Sequence, residues 1–242
     1  MERILGPDRR TLPEPTVARL PIYLRVAEES VRLGRPTISS EELARLAGVN
    51  AAKVRKDLSL LGSLGTRGTG YDAAQLVVAL DGFLGAGLDW PVVIAGVGKL
   101  GRALINARGF LTGSYRLVGL VDADPAVIGE VIGDHAVMTF AQLARSLESP
   151  PAIGVITTPA GAAQRAAEDL VELGVRSILN FAPTVLELPD DVRVRYVDLS
   201  IELQILSYHA ARAAVPGAGA MLSSVGIEPT GARPSVWIDP AP

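Results

Sequence analysis

The hexapeptide Gly96-Val97-Gly98-Lys99-Leu100-Gly101 constrains this chain more than any other feature. It follows the apolar run Val92-Val93-Ile94-Ala95 and opens a segment, 100–110, of helical character. A short continuous apolar run is expected of a parallel strand covered on both faces. In a strand, G-x-G-x-x-G, helix unit each glycine has a task. The first allows the tight turn, the second lets a pyrophosphate approach the backbone, and the third lets helix and strand pack closely. The helix start then offers unpaired amides and a favourable dipole to phosphates. By itself the spacing is a weak signal, so context decides. Here a second strand is expected at 117–121, and it ends in Asp122, where an acid bonds ribose hydroxyls. A carboxylate there repels a 2′-phosphate, and no arginine immediately follows Asp122, so NAD is expected rather than NADP. A Rossmann-like domain that takes another nucleotide, CoA or no ligand stays open as an alternative.

Strands and helices alternate behind this motif. Strands are expected at 152–156, 177–180 and 192–197, and helices at 139–147 and 162–173, the pattern of a parallel sheet with helical crossovers. An amphipathic helix is expected at 200–214. The tail from Pro216 is rich in proline and glycine, and disorder is expected there.

The front of the chain has a different texture. Residues 1–15 are polar and dotted with proline, as expected of a flexible arm. From Thr16, the residues Val17, Leu20, Leu24, Ala27 and Val31 follow a helical period until Gly34 and Pro36 end it. Ser39 to Glu42 reads as a capping box before a short helix, 41–47. Gly48 breaks that helix, and Asn50 caps the next, 51–61. Small Ala44 at the crossing, Gly48 at the turn and apolar Val54 inside fit a helix-turn-helix. The second helix then turns Lys53, Arg55, Lys56 and Ser59 outward, toward phosphates and base edges. The glycine-rich stretch 62–71 suits a hairpin or wing, with Arg67 and Tyr71 as further DNA contacts. A helix at 73–84 and the linker Gly85-Ala86-Gly87 complete this part.

The net charge of −3 argues against a DNA binder until it is split. Residues 1–89 carry 12 basic and 11 acidic side chains, and residues 90–242 carry 11 and 15. Between Lys53 and Tyr71 four basic residues face a single acid, Asp57, a local patch suited to phosphate contact. An ordinary solvated face, or a small helical dimerisation domain, would also account for this segment.

Several classes are disfavoured. There is no cysteine, which removes disulfides, thiolate metal sites and thiol redox sensing. The start lacks a signal-peptide core, and no apolar run reaches membrane-spanning length, so a cytoplasmic location without membrane contact is expected. No metal-ligand spacing, paired carboxylates or Ser-His-Asp pattern stands out, and the only histidines, His135 and His209, lack catalytic neighbours. A cofactor cradle without evident chemistry suits a sensor, so no catalytic residue and no enzyme activity is expected. The alternatives are an NAD- or CoA-binding, oxidoreductase-like enzyme with a helical oligomerisation domain, and a plain DNA-binding protein with a Rossmann scaffold.

The segments Arg19-Leu20-Pro21-Ile22-Tyr23-Leu24-Arg25, Val54 to Ser59, Gly65 to Tyr71, the glycine motif, and Ile178-Leu179-Asn180-Phe181-Ala182-Pro183 together resemble the Rex family of redox-sensing transcriptional repressors. The resemblance runs from about Thr16 to Ala214. It implies an α/β chain with a mainly α-helical front module. An N-terminal winged helix-turn-helix over 16–87 would precede a C-terminal Rossmann parallel sheet over 88–199. A swapped C-terminal helix at 200–215 and a flexible tail at 216–242 would follow. It implies a homodimer that binds a double-stranded operator with an inverted repeat and releases it on binding NADH, reading NADH against NAD+. By the same resemblance Arg55, Lys56 and Arg67 contact DNA. Gly96 to Gly101 and Asp122 hold the cofactor, and Thr157, Thr158, Pro159, Asn180 and Pro183 line the nicotinamide side. Arg25 and Asp198 form a latch between the DNA domain and the partner subunit. Two positions depart from some family members: Ala107 stands in place of a tyrosine and Leu199 in place of a phenylalanine.

Overall fold

Proline and glycine punctuate the front of the chain, and its helices fall between them. The computed structural model describes residues 12–66, 70–107, 110–111 and 113–214. Two helices, α1 (Glu14–Val17) and α2 (Leu20–Arg32), replace the single helix expected from Thr16. The cause is Pro21 in the first turn of α2. A proline ring clashes with the carbonyl four residues back, so a helix already running through Val17 cannot continue past it. A fresh helix start tolerates it, because its missing N–H is not needed there. Helix α1 also takes Glu14 and Pro15 out of the expected arm, while residues 1–11 and the tail 216–242 lie outside the described residues.

Helices α3 (Ser40–Ala47) and α4 (Ala51–Ser59) are started by side-chain caps. Ser39 Oγ accepts the Glu42 amide at 3.0 Å, and Asn50 Oδ1 accepts the Lys53 amide at 2.8 Å. The expected capping box is only half made. The Glu42 carboxylate pairs instead with Arg35 at 2.7 Å, a cation being a stronger partner than a neutral amide. Helix α4 stops two residues short of its expected end. Strands β1 (Thr37–Ile38), β2 (Gly65–Thr66) and β3 (Gly70–Asp72) form a small antiparallel sheet in the order β1-β3-β2. Helix α5 (Ala73–Leu84) follows, capped by Asp72 and ended by Gly85 in the left-handed conformation. Leu20, Tyr23 and Ala27 line one face of α2 and share a core with Leu43, Ala44, Val54, Leu58, Leu76 and Leu80. Each fully buried leucine contributes about 1.5–3 kcal/mol. Two helices meeting at buried Ala44 and Val54, followed by a short hairpin, make a winged helix-turn-helix.

The second compact unit begins after Gly87. It comprises β4 (Trp90–Ala95), α6 (Lys99–Asn106), β5 (Tyr115–Val121), β6 (Val131–Ile132), β7 (His135–Met138), α7 (Phe140–Ser146), β8 (Ile153–Ile156), α8 (Ala160–Glu172), β9 (Ser177–Asn180), β10 (Arg193–Tyr196) and α9 (Leu199–Ala214). The sheet order is β10-β9-β8-β4-β5-β7-β6, with every pairing parallel except β6 with β7. Val93, Ala95, Val121 and Ile156 face a core with Leu143 of α7 and Leu170 of α8. Val92, Ile94, Leu120 and Val155 face the other side, against Leu104 and Ile105 of α6. Burial on both faces is why these strands read as unbroken apolar runs. The strand-like segments expected on either side of His135 form the β6–β7 hairpin, with His135 at the start of β7. Helix α6 ends at Asn106, earlier than the expected 110. Among the described residues no helix is long and apolar enough to cross a membrane.

Candidate nucleotide cradle and recognition helix

The chain runs from β4 outward to β5 on one side, then returns past β4 to β8 on the other. The carboxyl ends lie level across this reversal: Ala95 pairs with Ile156, and Ile156 with Asn180. Ligands of open α/β sheets sit outside the strand ends at such a switch point. The glycine loop occupies it. Gly96 has φ +98, and a Cβ there would lie 2.8 Å from the Thr158 amide nitrogen. A Cβ on Gly101 would lie 2.1 Å from the Gly96 carbonyl oxygen, so only glycine lets α6 pack this close. Gly98 is the opposite case: nothing lies within 4 Å of its Cβ position. No side chain caps α6, so its first amides lack a side-chain acceptor and have none within the helix. Val97 is buried, while Lys99 and Leu100 are exposed.

Asp122, at the end of β5, braces this loop. Its Oδ2 accepts the Val97 amide at 2.6 Å and its Oδ1 accepts the Asp124 amide at 3.0 Å. Each oxygen keeps a further lone pair, enough for the two hydroxyls of a ribose. On the β8 side the Thr157 hydroxyl donates to the Gly96 carbonyl at 2.6 Å, so it clamps the loop from beneath. The Thr158 hydroxyl is buried and has no hydrogen-bond partner. Such a group costs about 1–3 kcal/mol, which a ligand acceptor would offset. Pro159 is exposed at the start of α8. Asn180 is 1% exposed and its amide is fully committed. It accepts the Ala182 amide at 2.9 Å and donates to the Ala182 and Thr184 carbonyls, both at 3.1 Å. Asn180 thus shapes the turn that presents exposed Pro183. Open amides, a bracing carboxylate and an unpartnered hydroxyl fit a dinucleotide.

One residue of this region escaped the sequence reading. Arg102, directly after Gly101, forks onto Glu130 with both terminal nitrogens, the Nη2 contact being 2.6 Å. Glu130 lies 28 residues away, so no local spacing signals the pair. Of the two histidines, His135 Nε2 donates to the Leu117 carbonyl at 3.0 Å, and the His209 ring meets Tyr208 edge-on at 5.3 Å.

In the front unit, α4 exposes Lys53, Arg55, Lys56 and Ser59. Arg55 Nη1 also donates to Ser40 Oγ and Glu41 Oε1, both at 2.9 Å, which ties it to the start of α3. The Ser59 hydroxyl donates to the Lys56 carbonyl at 2.7 Å. Arg67 lies outside the described residues. Tyr71, expected to contact DNA, lies on β3. It is 8% exposed, and a Cβ on Gly65 would lie 2.7 Å from its ring, so the ring is the floor of the wing. On the inner side of α4, Asp57 is 2% exposed and accepts four hydrogen bonds. Arg19 Nε and Nη2 donate at 2.7 Å, the Tyr23 hydroxyl at 2.8 Å and the Thr16 hydroxyl at 3.0 Å. Burial alone pushes the Asp57 carboxyl up, but Arg19, Tyr23 and Thr16 outweigh it and hold it below the usual carboxylate range. Burial and Asp57 together push the Tyr23 phenol up. The sequence offered no sign of this staple beyond an acid within a basic stretch.

Arg25 is exposed on α2. Asp198 accepts the Ser200 hydroxyl at 2.6 Å and amide at 2.8 Å, contacts that lower its pKa and secure the first turn of α9. Helix α9 exposes Leu199, Leu203, Leu206 and Tyr208.

Comparison with known proteins agrees with this division. Residues 11–59 match the family described as "Putative DNA-binding protein N-terminus", and residues 88–184 match the "CoA binding domain" family. The redox-sensing transcriptional repressor Rex of Streptomyces avermitilis is 54% identical over 206 residues, covering 85% of this chain and 82% of that protein. Among solved structures, RSP in complex with β-NAD+ and operator DNA is 32% identical with a TM-score of 0.77, covering 90% of this chain and 98% of that one. RSP in complex with β-NADH is 31% identical with a TM-score of 0.74, covering 90% and 100%.

Proposed function

The chain belongs to the Rex family of redox-sensing transcriptional repressors, and on that premise we propose that it is itself a repressor that senses the NADH/NAD+ ratio. It binds an inverted-repeat operator in double-stranded DNA as a homodimer and releases it when NADH binds. The observation that carries this reading is the glycine cradle. Its open helix start at Gly98 and its ribose acid Asp122 belong to the same chain as a basic, outward-facing recognition helix. Residues 16–87 serve DNA, residues 88–199 serve the nucleotide, and the helix over 200–215 exchanges between protomers. Gly96, Gly98, the amides of Gly98 to Gly101 and Asp122 hold the adenosine diphosphate part, with buried Val97 fixing the loop through its bond to Asp122 and with Thr158, Pro159 and Pro183 toward the nicotinamide. Thr157 and Asn180 act through the backbone they brace. Lys53, Arg55, Lys56, Ser59 and Arg67 face DNA.

The cofactor is read, not turned over, so the protein works in the cytoplasm as a sensor and not as an enzyme. Reading requires a difference in affinity between two dimer states, because a ligand that binds both equally shifts nothing. Arg25 of one protomer with Asp198 of its partner forms the latch that distinguishes them. The CoA reading is disfavoured by Asp122, since CoA carries a phosphate on its ribose.

Mobility shift on an inverted-repeat operator, with NADH and NAD+ titrated separately, tests the proposal. NADH should dissolve the complex at concentrations where NAD+ leaves it intact. Indifference to NADH would sink the sensor. Gly98→Leu should lose the NADH response and keep operator binding, and loss of both would assign the loop a purely structural role.

A further inference from the structure

Asp122 and Glu130 are the two ends of one connection, between β5 and β6, and both grip the start of α6. Asp122 takes the Val97 amide and Glu130 takes the Arg102 guanidinium. The Arg102 amide donates to the Gly98 carbonyl at 3.0 Å, which sets it in the first turn of α6. Its side chain therefore rises from the same junction that Asp122 braces, and the Asp122 charge acts on it. Glu130 is fixed from its own side: its amide donates to the Val127 carbonyl at 3.1 Å and its carbonyl accepts the Val137 amide at 2.8 Å.

We propose that the Arg102–Glu130 pair sets the choice between a free and a phosphorylated ribose at this cradle, an inference that rests on the dinucleotide reading above. A ribose phosphate is recognised best by an arginine fork. No arginine immediately follows Asp122 in the sequence, yet the fold supplies one from α6. Glu130 occupies that fork with two hydrogen bonds, so Arg102 offers an incoming phosphate little, and the repulsion from Asp122 stands unopposed. A ribose diol needs only the acceptor oxygens of Asp122 and is unaffected. Discrimination against NADPH is then made by two carboxylates and one occupied arginine, not by Asp122 alone. The side chains of the pair are 35% and 43% exposed, so one substitution frees the arginine without opening the core.

Equilibrium titration of NADH and NADPH against the full chain, followed by nucleotide fluorescence, tests this. Glu130→Gln should raise NADPH affinity relative to NADH about fivefold, the range expected of an exposed ion pair. Asp122→Asn combined with Glu130→Gln should raise it further, since asparagine keeps an acceptor for the Val97 amide. Arg102→Met added to Glu130→Gln should erase the gain. An unchanged ratio in Glu130→Gln, or a gain that survives Arg102→Met, overturns the inference while leaving the cofactor reading intact. Loss of both nucleotides in a Glu130→Gln protein with a normal melt overturns it too, because the pair is then structural. Failure of the unaltered protein to bind NADH overturns both.

Discussion

At Gly101 a single methyl group is decisive. Its Cβ would fall 2.1 Å from the Gly96 carbonyl oxygen, a backbone atom that Thr157 also holds. Gly101→Ala must therefore push α6 away from β4. The expected result is a loss of roughly 1–3 kcal/mol in stability together with weaker NADH binding, read by thermal melts and nucleotide titration. The exposed Arg55–Glu41 pair makes a different kind of prediction. Glu41 holds one terminal nitrogen of Arg55 at 2.9 Å and so competes with phosphate for the guanidinium. Glu41→Gln should tighten operator binding about two- to fivefold at low salt, with the gain fading as salt rises. Unchanged affinity across that range would mean that Arg55 does not reach the DNA.

The recognition helix depends on the staple behind it. Asp57 joins α4 to Thr16 of α1, to Arg19 and to Tyr23 of α2, so three elements share one carboxylate. Asp57→Ala strands a largely buried arginine and a buried phenol, and should cost about 3 kcal/mol. The folded pKa of Asp57 lies below its unfolded value, so the unfolded chain binds more protons in between. The stabilisation is complete above about pH 4 and is lost as pH falls through the lower, folded value. Melts of the unaltered protein should thus decline more steeply below about pH 4 than those of Asp57→Asn. Parallel pH curves would remove Asp57 from the account of stability. Caps and breaks along these elements were legible beforehand, at Ser39, Asn50, Gly48 and Gly85, because each acts within one turn of chain. The break before α2 was missed, although Pro21 is itself a local signal.

At the scale of the whole molecule, α9 turns several large apolar side chains outward. Leu203 and Leu206 are 64% and 62% exposed on a helix capped by Asp198. Leu203→Glu with Leu206→Glu should leave the protomer folded, convert dimer to monomer in sedimentation, and weaken operator binding by removing the second half-site contact. A dimer that survives both substitutions would place the interface elsewhere. The glycine motif, the apolar strand runs, Asp122 at a strand end and the helix-turn-helix spacing could all be read from residues close in sequence, since turns, caps and pleats are short-range physics. The burial of Tyr71 under the wing, the Thr157 clamp, the Asn180 turn brace, the Asp57 staple and the fork of Arg102 on Glu130 could not. Each joins segments that meet only when the chain is folded, or depends on which face of an element is covered. Charge counts and spacing carry no record of such pairings. The motif therefore identified a nucleotide cradle, and folding determined which of its charges are paired and with what.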